Sequence, residues 1–256
     1  KRGGLDGSLV RIHVGARRFP RQVSYLDDLC AGGRSVHWLQ RLPEAESRRA
    51  ATLMDACMRE LSVRGGAAAG SEGAEALWRV PQAILSGQLK LAAAIAIAAT
   101  RTDRRGKGGA STATAEAGSG KSRSAVLVFV AGWSDIADVA DEIARLGGSE
   151  YACVPLHGEM PAEEQLGAFR AAPAGKSKII VATNAAESSL TLPDVDVVVD
   201  TGQQKQLVHD PTLGTILLRT WVSQAAAEQR VLPVGAELPH AQLRGVVRAQ
   251  REGGAE

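Results

Sequence analysis

The chain has 256 residues, is 45% hydrophobic and 23% charged, and sets 30 basic against 28 acidic side chains for a net charge of +2. At roughly 150 residues per domain this allows one or two domains. The near-balance of charge excludes a histone-like polycation and an acidic tail, while leaving room for a local basic groove.

In chain order, residues 8–30 hold β-branched and aromatic residues split by Phe19-Pro20 and predict two short strands about a turn. Residues 43–61 predict a helix, because Leu53, Met54, Cys57, Met58 and Leu61 recur at three- and four-residue steps. Residues 62–76 are rich in Gly, Ala and Ser and read as a flexible break. A second helix is expected over 80–100. A second break follows over 101–123, opening with Arg101, Arg104, Arg105 and Lys107.

From Ser124 the pattern changes. Residues 125–132, AVLVFVAG, form a short apolar run suited to a buried parallel strand. A helix follows, with Ile136, Val139, Ile143 and Leu146 on one face, Ser134 placed to cap it and Gly147-Gly148 after its end. Strands are predicted over 151–157, 176–183 and 195–200, and a fifth over 215–220, where a hairpin is one arrangement that suits it. Helices are predicted from Pro161 to Phe169 and over 223–230. Strand and helix alternate with short connections, so the expected fold class is α/β: a mostly parallel sheet with helices on both faces.

Three cysteines, Cys30, Cys57 and Cys153, have neither disulfide-framework nor zinc-site spacing and suit a reducing compartment. The basic start Lys1-Arg2-Gly3-Gly4 is not followed by an apolar core, so no secretory signal is read. Leu91–Ala99 is about half the length of a spanning helix. A nuclear or cytoplasmic location without a membrane is the expectation. The chain does not begin with Met, and it is expected to be a piece of something longer.

Residues 115–122, AEAGSGKS, satisfy the loose pattern of a phosphate-binding loop, with Lys121 for the outer phosphates and Ser122 for magnesium. That loop needs a buried strand before it and a helix N-terminus after it. A low-complexity tract precedes it here and a strand follows, so it reads as linker. The more informative stretch is 182–191, ATNAAESSLT, which follows a buried strand at its carboxyl end. Open parallel sheets bind ligands there, and small hydroxyl and amide side chains suit phosphate oxygens. A polar turn with Ser and Thr as caps accounts for the same residues equally well.

Residues 182–192, ATNAAESSLTL, resemble motif V of the DEAH-box (DEAH/RHA) RNA helicases, ATNIAETSLTI. The likeness continues through PDVDVVVDTGQQKQLVHDP at 193–211 and WVSQAAAEQR at 221–230, against the family's WISKAsAxQR. Val126–Gly132 resembles motif IV, and Pro155–Pro161 with Glu164-Gln165 resembles the family's PLHSxLPxxxQ. Arg18-Phe19-Pro20 and Tyr25-Leu26-Asp27-Asp28 resemble the passage from the first RecA-like domain into the second.

The resemblance implies a second RecA-like (helicase C-terminal) domain over 124–230. It is entered through 8–30, interrupted by a helical insertion with linkers over 31–123 and followed by a divergent tail over 231–256. It implies RNA contacts from Thr183, Asn184, His157 and Gly158, where many members carry Ser at the last of these. It implies nucleotide contacts from Phe169, which would stack on a base, from Thr191 near the ribose, and from Gln229 at the γ-phosphate. ATP and Mg2+ are the implied cofactors of the full enzyme. RNA and a first RecA-like domain are its implied partners, and no resident metal is expected in this chain. Motif VI departs from the family. QRxGRxGR is replaced by Gln229-Arg230-Val231-Leu232-Pro233-Val234-Gly235-Ala236, with Pro233 and Ala236 where the later arginines belong. The chain alone is therefore expected not to hydrolyse ATP. The alternative expectation is a non-catalytic nucleic-acid-binding or regulatory module on the same fold.

Overall fold

The computed structural model describes residues 23–26, 42–67, 80, 82–106, 125–184, 192, 194–210, 214–230 and 245–248. Its centre is a six-stranded, wholly parallel sheet in the order β1-β8-β5-β2-β4-β3. These strands are β1 (Val23–Tyr25), β2 (Ala125–Phe129), β3 (Tyr151–Leu156), β4 (Ser177–Ala182), β5 (Val195–Asp200) and β8 (Gly245–Arg248). A separate antiparallel hairpin joins β6 (Gln203–Asp210) to β7 (Gly214–Trp221).

The central strands are apolar on both sides because both sides are covered. Along β2 and its end, Val126, Val128 and Val130 enter one core cluster, while Leu127 and Phe129 enter the other. The first cluster takes Ile179, Val181, Val197 and Val199 from the flanking strands and is roofed by three long helices. These are α1 (Glu44–Ala67), α2 (Gln82–Gly106) and α3 (Trp133–Gly147). The opposite face takes Leu156, Ile180 and Val198, and packs on Ala168 and Leu192. Ala168 belongs to a 3-10 turn, Leu166–Phe169, that continues the single α-turn α4 (Ala162–Gln165). Among the described residues the two layers are therefore unequal, with the long helices all on one side.

Helix α2 is apolar nearly all round because it is enclosed. Leu91 through Ala99 are buried without exception, between α1, α3 and the sheet. The window Ile84–Arg101 is the one stretch among the described residues long and apolar enough to cross a membrane, and 72% of it is buried within the fold.

Several expectations need correction. Helix α1 runs on through Gly65-Gly66 to Ala67, and α2 to Gly106, into stretches read as breaks. Ser134 does not cap α3: Gly132 holds the cap position, and the Asp135 carboxylate accepts the Ala131 N–H at 3.1 Å. The Pro161 helix is a single α-turn that tightens to 3-10 geometry. Strand β6, in polar QQKQLVHD, and strand β8, inside the stretch assigned to a divergent tail, were not expected. The loop-like AEAGSGKS lies outside the described residues.

Helix α1 is clamped to α3 by charge. Arg145 donates to Glu142 at 2.9 and 2.8 Å and to Glu46 at 3.1 and 3.0 Å, and Arg49 stands 3.7 Å from Glu142. Hydrogen bonds from Arg145 hold both carboxyls below their ordinary range. A lowered carboxyl pKa gives stability that is complete above the ordinary value of 4.5 and fades as pH falls through the lowered one. The wild-type chain should therefore lose more thermal stability between pH 5.5 and pH 3 than Arg145→Ala. Calorimetry at the two pH values tests this, and parallel losses would remove the clamp from the acid response.

Candidate nucleic-acid interface

Register places the site. Phe129 lies opposite Ala182 on one side and Asp200 on the other, and Leu156 lies opposite Ala182. Strands β3, β4, β2 and β5 thus end level, and the residues after them share one edge: His157, Thr183, Gly132-Trp133 and Thr201. The edge is stitched by backbone. Thr183 N–H donates to Leu156 O at 3.1 Å, Val130 N–H to Ala182 O at 2.8 Å, and Thr201 N–H to Phe129 O at 3.2 Å. The Thr201 hydroxyl adds a second bond to Phe129 O at 2.9 Å.

Two ion pairs fasten the surrounding elements to this edge. Arg219 of β7 forks onto Asp135 at the start of α3, with both N···O distances 2.7 Å, and donates to the Gln203 side-chain oxygen at 2.9 Å. Gln203 in turn donates to Gln88 of α2. The hairpin, α2 and α3 are thereby joined through one guanidinium. A planar fork is suited to such a task, since it fixes orientation as well as distance.

The second pair lies deeper. Arg230, after helix α5 (Gln224–Gln229), donates to Asp200 Oδ1 at 2.8 Å and to Gln203 O at 3.1 Å, and its guanidinium lies 5.1 Å from the Phe129 ring centroid. Both side chains are buried. Asp200 Oδ1 also accepts the Gly202 N–H at 2.8 Å.

The proposed RNA-side residues converge. Thr183 is 2% exposed, and its hydroxyl takes no partner among the described residues. Asn184 beside it is exposed. His157 stands on the neighbouring strand end, its Nδ1 accepting the Glu159 N–H at 3.2 Å, with Gly158 exposed next to it. The nucleotide-side residues do not converge. Gln229 is exposed on this edge next to Arg230. Phe169, 37% exposed, belongs to the far edge: the carbonyl before it accepts from Lys178 Nζ at 2.8 Å, and Lys178 is the second residue of β4. Lys178 is locked there by Asp194 at 2.6 Å. Thr191 lies outside the described residues. Among the described residues no three His, Cys, Asp or Glu gather into a metal cluster.

Sequence reasoning singled out none of Trp133, Lys205 and Arg219. Trp133 meets His157 edge-on, with ring centroids 5.7 Å apart and planes at 83°.

Breaking a buried pair strands the remaining charge, at a cost of about 3–5 kcal/mol, whereas replacing both partners with apolar residues costs far less. Asp200→Ala should therefore lower the urea midpoint steeply, and the Asp200→Leu, Arg230→Met double variant should recover most of the loss. An Asp200→Ala variant as stable as wild type would show that the pair does not hold α5.

Residues 112–231 match the model of the helicase conserved C-terminal domain. A DExH-box ATP-dependent RNA helicase of Arabidopsis thaliana, DExH1, is 43% identical over 112 residues, 41% of this chain and 11% of its own. The mouse ATP-dependent DNA/RNA helicase DHX36 is 38% identical over 111 residues, with the same shares of 41% and 11%. The crystal structure of the Escherichia coli DExH-box NTPase HrpB covers 62% of this chain and 17% of its own, at 29% identity and a TM-score of 0.46. The matched stretch amounts to 7–16% of the length of the curated relatives.

Proposed function

We propose that this chain, which carries the helicase C-terminal RecA-like domain of the DEAH/DExH-box RNA helicases, supplies the strand-gripping second half of an ATP-dependent RNA motor. The observation that carries the reading is the level carboxyl edge, where Thr183, Asn184 and His157 stand together at the ends of parallel strands. Neutral donors on a phosphate backbone hold any sequence, so the grip is sequence-independent. ATP belongs to the assembled motor. Phe169 and Gln229 lie at opposite edges here, and a first RecA-like domain would face them to complete the nucleotide site.

Motif VI favours a second reading for the chain on its own. Pro233 and Ala236 occupy the places of the later arginines, and an arginine at the transferred phosphate is worth about 10³–10⁵ in rate in comparable systems. On this reading the chain binds RNA and does not turn over ATP.

Fluorescence anisotropy with single-stranded RNA at rising salt tests the grip. Affinity should fall linearly with salt on a log–log plot. Thr183→Ala should weaken it roughly tenfold, the scale of one hydrogen bond to a charged group. Steady ATP turnover by the purified chain would overturn the second reading, and absence of RNA binding at low salt would overturn both.

A further inference from the structure

Trp133 is the first residue of α3, directly after the Gly132 turn on the carboxyl edge, and 53% of it is exposed. The ring is nonetheless held. His157 meets it edge-on at 5.7 Å, and His157 is itself fixed through its Nδ1 by the Glu159 N–H. A T-shaped contact engages at most one face of the indole, so the other is available to a flat partner. Lys205 of the hairpin crosses the turn beside it: a Cβ built on Gly132 would lie 2.7 Å from Lys205 Nζ. Glycine at 132 is what lets that ammonium approach, and among the described residues Lys205 forms no ion pair.

An open aromatic face, an uncompensated cation beside it and Thr183 on the same edge match the makeup of a single-strand site. In such sites bases stack on rings and the backbone meets positive charge. An aliphatic protein-docking patch would lack both the held indole and the cation. We infer that Trp133 is a base-stacking platform for single-stranded nucleic acid, with Lys205 on the adjoining phosphate. This rests on the reading that the carboxyl edge grips RNA. It adds a contact to the base itself, beyond the backbone contacts of Thr183 and Asn184, and it favours no base over another, because every base has a π-face.

The test compares fluorescein-labelled oligo-uridylate of twelve nucleotides with an abasic sugar-phosphate chain of equal length, using anisotropy on the 256-residue chain. Trp133→Ala should weaken oligo-uridylate binding by roughly 5- to 150-fold and leave abasic binding unchanged. Trp133→Phe should keep most of the affinity, which separates lost stacking from lost folding. Lys205→Ala should weaken both ligands and reduce the salt slope by about one. Equal losses for both ligands on Trp133→Ala, or no loss for either, would overturn the platform. An unchanged salt slope on Lys205→Ala would overturn the phosphate contact. If the unaltered chain binds neither oligonucleotide, the RNA-gripping reading fails and takes this inference with it. If it binds both and only Trp133→Ala is silent, the grip survives without the platform.

Discussion

The carboxyl edge depends on Phe129. Its register places Ala182 and Asp200 level with it on either side, so the chain leaves three neighbouring strands at one height. Its carbonyl receives both the backbone and the hydroxyl of Thr201, and its ring lies beside the Arg230 guanidinium. A one-residue slip of β2 would exchange its two core faces and put its own end, with Gly132 and Trp133, out of level with the strand ends that carry Thr183 and Thr201. The alternating assignment of Val126, Leu127, Val128 and Phe129 to opposite cores makes that slip costly. The site is therefore fixed by burial several residues away from any group that would touch a ligand.

Legibility in the sequence follows from where the stabilising interactions lie. The central strands could be read because burial on both faces leaves a continuous apolar signature in β2, β4 and β5. Helices α1 and α3 announced themselves by period, since each has one face on the core. Strand β6 has no such signature. Gln203 is buried, but its compensation is the Gln88 side chain, 115 residues away in sequence. Leu207 faces Leu217 across the hairpin, and both are exposed, so its apolar residues do not mark a core. The α3 cap was misread for a related reason. Ser134 is a good capping residue in isolation, but Asp135 takes the Ala131 N–H instead, with its carboxylate fixed by Arg219 from β7. Gly65-Gly66 reads as a break locally, yet the helix carries through it.

The same distinction holds for the site. The position of Thr183, Asn184 and His157 at strand ends could be anticipated because they directly follow apolar strand segments. Trp133 and Lys205 were not singled out, since their meaning arises only when β3 brings His157 against the indole and the hairpin lays an ammonium over Gly132. A net charge of +2 gave no hint of this. What matters for an anionic strand is a cation without a counter-charge at one edge. Arg219 is committed to Asp135 and Arg230 to Asp200, which leaves Lys205 as the uncompensated cation described at that edge.

Motif VI divides along the line between fold and chemistry. Arg230 is wholly buried, bonded to Asp200 and to the Gln203 carbonyl, and its loss would leave a carboxylate stranded under the sheet edge. The positions that resemblance assigns to the later arginines, Pro233 and Ala236, hold residues that cannot neutralise a phosphate. Arg230, the part of the motif that the chain retains, is thus bonded into the folded domain. Under the proposed function this separates the two tasks of the domain physically. The RNA edge is held by strand register and buried ion pairs, which remain intact.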